Sequence, residues 1–130
     1  MPGYADGAYD AIVSLGYNCE VEFQLERIGL RERQPVFAWM FVLLPSLTRI
    51  VADGLAGLGE PAHMVFRPDE ATMIYDDFYD CAYHRPKELT PDHPRAARLM
   101  QIFQQSVRSA ADGFNKNACS RNRTLYLLKL

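Results

Sequence analysis

The sequence predicts an α/β fold, a small sheet with helices packed on it, in which the first strand leads into a helix that starts at a cysteine. Three observations carry that expectation. Residues 9–15 form a β-branched and apolar run of strand length that closes on Gly16, where the backbone can bend. The residues after it carry the marks of a helix signed at both ends. Farther on, short apolar runs alternate with segments whose apolar residues recur at helical spacing. A chain of 130 residues, 48% of them hydrophobic, is of a size to close around one core, so a single domain over residues 1–130 is expected.

Taken in order, the elements are justified as follows. Asn18 is a favoured N-cap, and Val21, Leu25 and Ile28 share one face of the helix that follows it. Glu20 and Glu22 sit at the positive end of that helix and Arg27 at its negative end, while Gly29 stops it and Leu30 folds back toward Leu25. After a polar connection, residues 36–44 are almost entirely apolar and hold the single tryptophan, Trp39, so this run belongs in the core. Pro45 and Ser46 open a short helix in which Leu47, Ile50, Val51 and Leu55 repeat at helical spacing. Gly54, Gly57, Gly59 and Pro61 mark a loop, and residues 64–66 and 72–75 have the character of short strands about a turn. Residues 76–87 have the composition of an irregular acidic and aromatic loop. Thr90 and Pro91 signal a long helix with Ala96, Leu99, Phe103, Val107 and Ala110 on its apolar face, ending near Gly113. The final run, 124–130, suits a buried strand. The chain stops inside it, which suggests a truncated piece of a longer protein, and an open edge there invites self-association.

Charge and composition narrow the function classes. Fourteen Lys and Arg against 16 Asp and Glu leave a net charge of -2, so neither nucleic acid nor an anionic membrane is an expected partner. The longest apolar run spans residues 36–44, far short of the roughly 20 residues needed to cross a bilayer. The first residues lack the basic start and apolar centre of a secretory signal. Cys19, Cys81 and Cys119 are odd in number and widely spaced, unlike a disulfide framework. A cytoplasmic location is the expectation.

Cys19 is the most informative residue for chemistry. A thiol in the first turn of a helix feels the positive end of the helix and its unpaired backbone N–H groups, which stabilise a thiolate. The same turn, around Gly16 and Asn18, has N–H groups that could hold a developing oxyanion, so these two join Trp39 as the candidate substrate-binding positions. Against this, Cys19 could be a small buried residue at a helix start, and Glu20 and Glu22 oppose thiolate formation. Trp39, with Phe37 and Phe41, is most simply core, its rival role being to stack on a ligand. Residues 76–84 crowd three aspartates, Cys81 and His84 together. One Cys-x-x-His pair falls short of the four ligands of structural zinc, so no metal and no cofactor are expected. His84 is instead a candidate general base, with Asp77 or a neighbouring aspartate orienting its ring. His63, between Ala62 and Met64, suits the core, and His93 suits a helix cap.

The string Ser14-Leu15-Gly16-Tyr17-Asn18-Cys19, followed by the amphipathic helix with Gln24-Leu25 and by Gly29-Leu30-Arg31, resembles the opening of a bacterial family of uncharacterised proteins labelled papain-like cysteine peptidases. That family continues to a Pro-Phe-Asp-Trp box and later to a His-Asp-Phe box. Here Val36-Phe37-Ala38-Trp39 takes the place of the first box and Tyr75-Asp76-Asp77-Phe78 that of the second. Ala38 stands where the family has aspartate, and Asp76 where it has histidine. The resemblance implies a papain-like α+β architecture as the alternative fold, Cys19 as nucleophile and a peptide or small-molecule acyl substrate. The missing histidine leaves two expectations: His84 substitutes as base in a thiol protease or related hydrolase or acyl transferase, or the chain is a non-catalytic ligand-binding or interaction module.

Overall fold

The structure, a computed structural model, describes residues 11–15, 27, 36–37, 40–67, 72–120 and 123–127. In chain order its elements are β1 (Ala11–Ser14), β2 (Met40–Phe41), α1 (Leu44–Ala52), a 3₁₀ turn (Pro61–His63), β3 (Met64–Val65), β4 (Met73–Asp76), β5 (Cys81–His84), α2 (Ala96–Ala118) and β6 (Thr124–Leu127). β1 and β6 pair in parallel, with Ala11 opposite Thr124 and Ser14 opposite Leu127. The other four strands form an antiparallel sheet in the order β2-β5-β4-β3. Helices packed on small sheets of both kinds are consistent with the α/β expectation and with its α+β alternative. The helix expected to start at Cys19 lies outside the described residues.

The two faces of the antiparallel sheet follow from strand alternation. Ile74, Asp76, Cys81 and Tyr83 point inward and are buried with Met40 and Met64, whereas Phe41 and Tyr75 face outward. The outer side opens on a groove of about 460 Å³ lined by Phe41, Val42, Leu43, Met73, Tyr75 and Asp80, among others. α1 begins at Leu44, inside the apolar run, because Pro45 fits its first turn. It buries Ser46, Leu47 and Ile50. Gly54 (φ 63°) and Leu55 (φ 61°) then reverse the chain, and burial of the Leu55 side chain offsets its left-handed backbone.

α2 covers the core. Val107 and Ala111 are buried, Phe103 meets Tyr83 edge to face at 5.8 Å, and Phe114 meets Phe37 at 5.5 Å. Just before the helix, His93 Nδ1 accepts the N–H of Arg95 at 2.9 Å; the helix itself starts at Ala96 with Arg95 at the N-cap and no side-chain cap, so Thr90 does not cap it. It also runs through Gly113 to Ala118 instead of stopping there. A glycine costs an exposed helix about 1 kcal/mol, which the contacts of Phe114 with Phe37 and Tyr126 and the bond from Asn115 Nδ2 to Gly54 O (2.8 Å) offset. Close approach fixes Gly59 (φ 76°) against this helix: a Cβ there would lie 3.0 Å from the Gln104 carbonyl oxygen. Among the described residues, no helix is long and apolar enough to cross a membrane.

Residues 76–87, expected to be an irregular loop, contain β5. The acidic residues that suggested a loop are Asp76, which ends β4, and Asp77 and Asp80 in the turn at 77–80, and beyond it Cys81-Ala82-Tyr83-His84 alternates across the sheet.

Candidate functional site

The site is built on the β4–β5 turn, which one side chain organises. Asp76 is the last residue of β4, 1% exposed, paired with Met64 on one side and Cys81 on the other. Its Oδ1 accepts the N–H groups of Phe78 (3.0 Å) and Tyr79 (2.9 Å), which bends the chain at once after the strand. Asp80 closes the turn with φ 54°, and Arg49 donates to the Phe78 carbonyl at 2.8 Å. The Asp76 Oδ2 is buried without a hydrogen-bond partner. Burial raises the Asp76 carboxyl above its ordinary range, against the two turn amides and the nearby His63, which lower it.

Around this turn the structure gathers groups from distant parts of the chain. The His63 ring stacks on Phe78 with centroids 4.4 Å apart and planes 9° apart. Its Nδ1 lies 3.2 Å from Gly57 O, and its carbonyl accepts the Asp77 N–H at 3.0 Å. The buried Tyr79 hydroxyl donates to Asp53 Oδ2 (3.0 Å) and accepts the Gly57 N–H (3.2 Å). Desolvation and then Asp53 hold the Tyr79 phenol above its usual value. The inner face beyond the turn is buried. Burial, reinforced by Asp76 and Asp80, pushes the Cys81 thiol up to about 12, and burial likewise raises Tyr83. The Gly59 N–H lies near the Tyr83 hydroxyl, which nonetheless lacks a partner of hydrogen-bonding geometry.

The sequence-predicted site residues are not all brought together. Cys19, Gly16, Asn18 and Trp39 lie outside the described residues. Asp77 and His84 stand at opposite ends of the β4–β5 hairpin, because the register pairs His84 with Met73, four residues before Asp77 and about 13 Å along the strand. Asp77 instead pairs with Arg67 at 2.9 Å, and that guanidinium lies 3.9 Å from the Tyr75 ring centroid. The expected Asp77–His84 contact is therefore corrected: in an antiparallel hairpin, nearness in sequence across the turn becomes distance along the strands. Asp80, at the turn, is separated from His84 in the same way. The His84 ring rests 5.3 Å from Phe41 and lines a cavity of about 110 Å³ beneath α2. Among the described residues, no group of three or more His, Cys, Asp and Glu side chains is placed to hold a metal ion.

His63 is the residue that sequence reasoning passed over. It has no acidic neighbour in sequence, and what brings it to Asp76-Asp77-Phe78 is the β3–β4 pairing, which sets Met64 opposite Asp76. The apolar run at 64–66 was the available signal, since pairing it with 72–75 carries His63 to the turn.

The described parts of two motif segments lie at the end of β1, at Ser14-Leu15, and at the β4–β5 turn, at Asp76-Asp77-Phe78. The model described as "Putative papain-like cysteine peptidase" matches residues 10–115, and the chain belongs to that family. No curated protein and no solved structure matches the chain.

One consequence concerns pH. A carboxyl whose value is raised on folding binds its proton more tightly in the folded state, so its contribution to stability is greatest at low pH. Unfolding free energy should fall as pH rises from the ordinary 3.8 through the raised folded value, and level off above it. Asp76→Asn keeps an acceptor for the Phe78 and Tyr79 amides but cannot ionise. Chemical denaturation from pH 3 to 8 should show the variant gaining on the parent as pH rises; the variant losing ground over that range would contradict a buried, proton-retaining Asp76.

Proposed function

We propose that the chain is a cysteine-dependent hydrolase or acyl transferase of the papain-like kind, with Cys19 as nucleophile and a peptide or small-molecule acyl group as substrate. The observation that carries the reading is the family match, which includes Cys19 within residues 10–115. The end of β1 supports it: Leu15 donates its N–H to Leu127 O at 2.8 Å, so the sheet anchors the chain four residues before Cys19. In this reading a base takes the Sγ proton, and the thiolate attacks the acyl carbon while backbone amides near Gly16 and Asn18 receive the oxyanion. The leaving group departs with the proton returned by the base. Water or a second acceptor then displaces the thiol from the thioester with help from the same base.

A non-catalytic ligand-binding or interaction module is the second reading, and one observation favours it. Asp76 occupies the position of the family histidine, buried and committed through Oδ1 to the turn amides. Acid-quenching the protein with p-nitrophenyl acetate and mapping the adduct by mass spectrometry separates the two. An acetyl group on Cys19 is expected; acetylation confined to the exposed Cys119, or none on any cysteine, would favour the module.

A further inference from the structure

We infer that the outer face of the antiparallel sheet is a docking site for a peptide segment that carries an arginine beside an apolar residue, an inference that does not rest on the cysteine-hydrolase reading. The strand register builds a trough there. Ala82 is the outward residue in the middle of β5, and the pairing sets Phe41 of β2 and Tyr75 of β4 opposite it from either side. Two aromatic side chains thus flank one methyl group, on strands about 10 Å apart, twice the spacing of neighbouring strands. Leu43 adds to the wall on the β2 side and Met73 to that on the β4 side, and Asp80 lines the trough at the turn. The space of about 460 Å³ lies within the range of roughly 300–1,000 Å³ usual for ligand sites.

Charge selects the occupant. Asp80 is exposed, and among the described residues no Lys, Arg or His side chain pairs with its carboxylate. Two cations at this hairpin are engaged elsewhere: Arg49 donates to the Phe78 carbonyl, and Arg67 pairs with Asp77. His84 stands at the far end of β5, four residues and about 13 Å along the strand from Asp80. A slot with aromatic walls and a carboxylate at one end matches a guanidinium, whose planar face stacks on rings, whose N–H fork meets a carboxylate and whose methylene stem suits an apolar floor. The Tyr75 ring already takes one such group, the Arg67 guanidinium at 3.9 Å from its centroid. Beyond the trough the apolar surface continues through Leu43 and Leu44, 60% and 50% exposed. A small cation would leave that surface bare, whereas a peptide lays a neighbouring apolar side chain on it.

The test titrates the ¹⁵N-labelled full chain with acetyl-Leu-Arg-Leu-amide as probe and reads the amide shifts by NMR. The shifts should centre on Phe41, Leu43, Tyr75, Asp80 and Ala82. The same peptide with citrulline in place of arginine keeps the shape and loses the charge, and should bind about tenfold more weakly. Asp80→Asn removes the carboxylate, and asparagine tolerates the left-handed backbone of this position (φ 54°), so the turn is kept. That variant should bind the arginine peptide about threefold to fivefold more weakly and the citrulline peptide as the parent does. Ala82→Leu fills the floor of the trough and should abolish the shifts while the rest of the spectrum is preserved. Equal binding of the two peptides by the unaltered protein, no binding at millimolar peptide, or shifts centred away from the outer face would overturn the proposal. So would an Asp80→Asn protein that binds the arginine peptide as tightly as the parent.

Discussion

Replacing Cys19 by serine should lower turnover of p-nitrophenyl acetate by at least about 1,000-fold, because an alkoxide is far harder to generate than a thiolate with an imidazole as base. The same exchange at the other two cysteines should leave turnover within about twofold. Cys81 is 5% exposed, and burial pushes its thiol up to about 12, so it stays protonated at neutral pH. Cys119 is exposed at the C-terminal end of α2, where no helix N-terminus favours its thiolate. The comparison is steady-state kinetics on the three single variants at matched protein concentration. If Cys119→Ser is the variant that loses turnover, Cys19 is not the nucleophile.

The second large effect falls on stability. Phe37 is fully buried and meets Phe114 edge to face at 5.5 Å, and Phe114 in turn contacts Tyr126 of β6 at 5.9 Å. It thus links the core of the antiparallel sheet to α2 and to the strand that pairs with β1. Phe37→Ala removes a fully buried ring and its contact with Phe114 and leaves a cavity in the core, so a loss of about 3–5 kcal/mol in unfolding free energy is expected. Urea denaturation checks it. A loss below about 1 kcal/mol would show that Phe37 does not join these parts of the core.

Much of the fold was legible because apolar periodicity reports burial directly. Val107 and the half-buried Leu99, Phe103 and Ala110 of α2 lie where helical spacing put them, and β1, β3, β4 and β6 fall within or beside the runs expected to form strands. β5 was missed because Asp76, Asp77 and Asp80 dominate the composition of a segment in which two serve the turn and one caps it, while the strand begins only at Cys81. The end of α2 was missed because Gly113 stops a helix only when nothing beyond it packs, and Phe114 packs on Phe37. At the site, the resemblance drew attention to the box at 75–78, and Asp77 and His84 were joined because they are neighbours in sequence. Hairpin register separates them, and strand pairing supplies His63, which no local pattern marks. Sequence distance is a guide to contact within a helix turn or at a tight turn; between strands only the register decides.

The most direct test of a cysteine enzyme is the pH dependence of Cys19 alkylation in the unaltered protein. Iodoacetamide is applied from pH 5 to 9, with the rate at each cysteine followed by mass spectrometry. An activated nucleophile predicts that Cys19 reacts fastest of the three and keeps reacting well below the ordinary thiol value of about 8.5. A Cys19 rate that rises only above that value, or that stays as low as the rate at buried Cys81, would contradict the account.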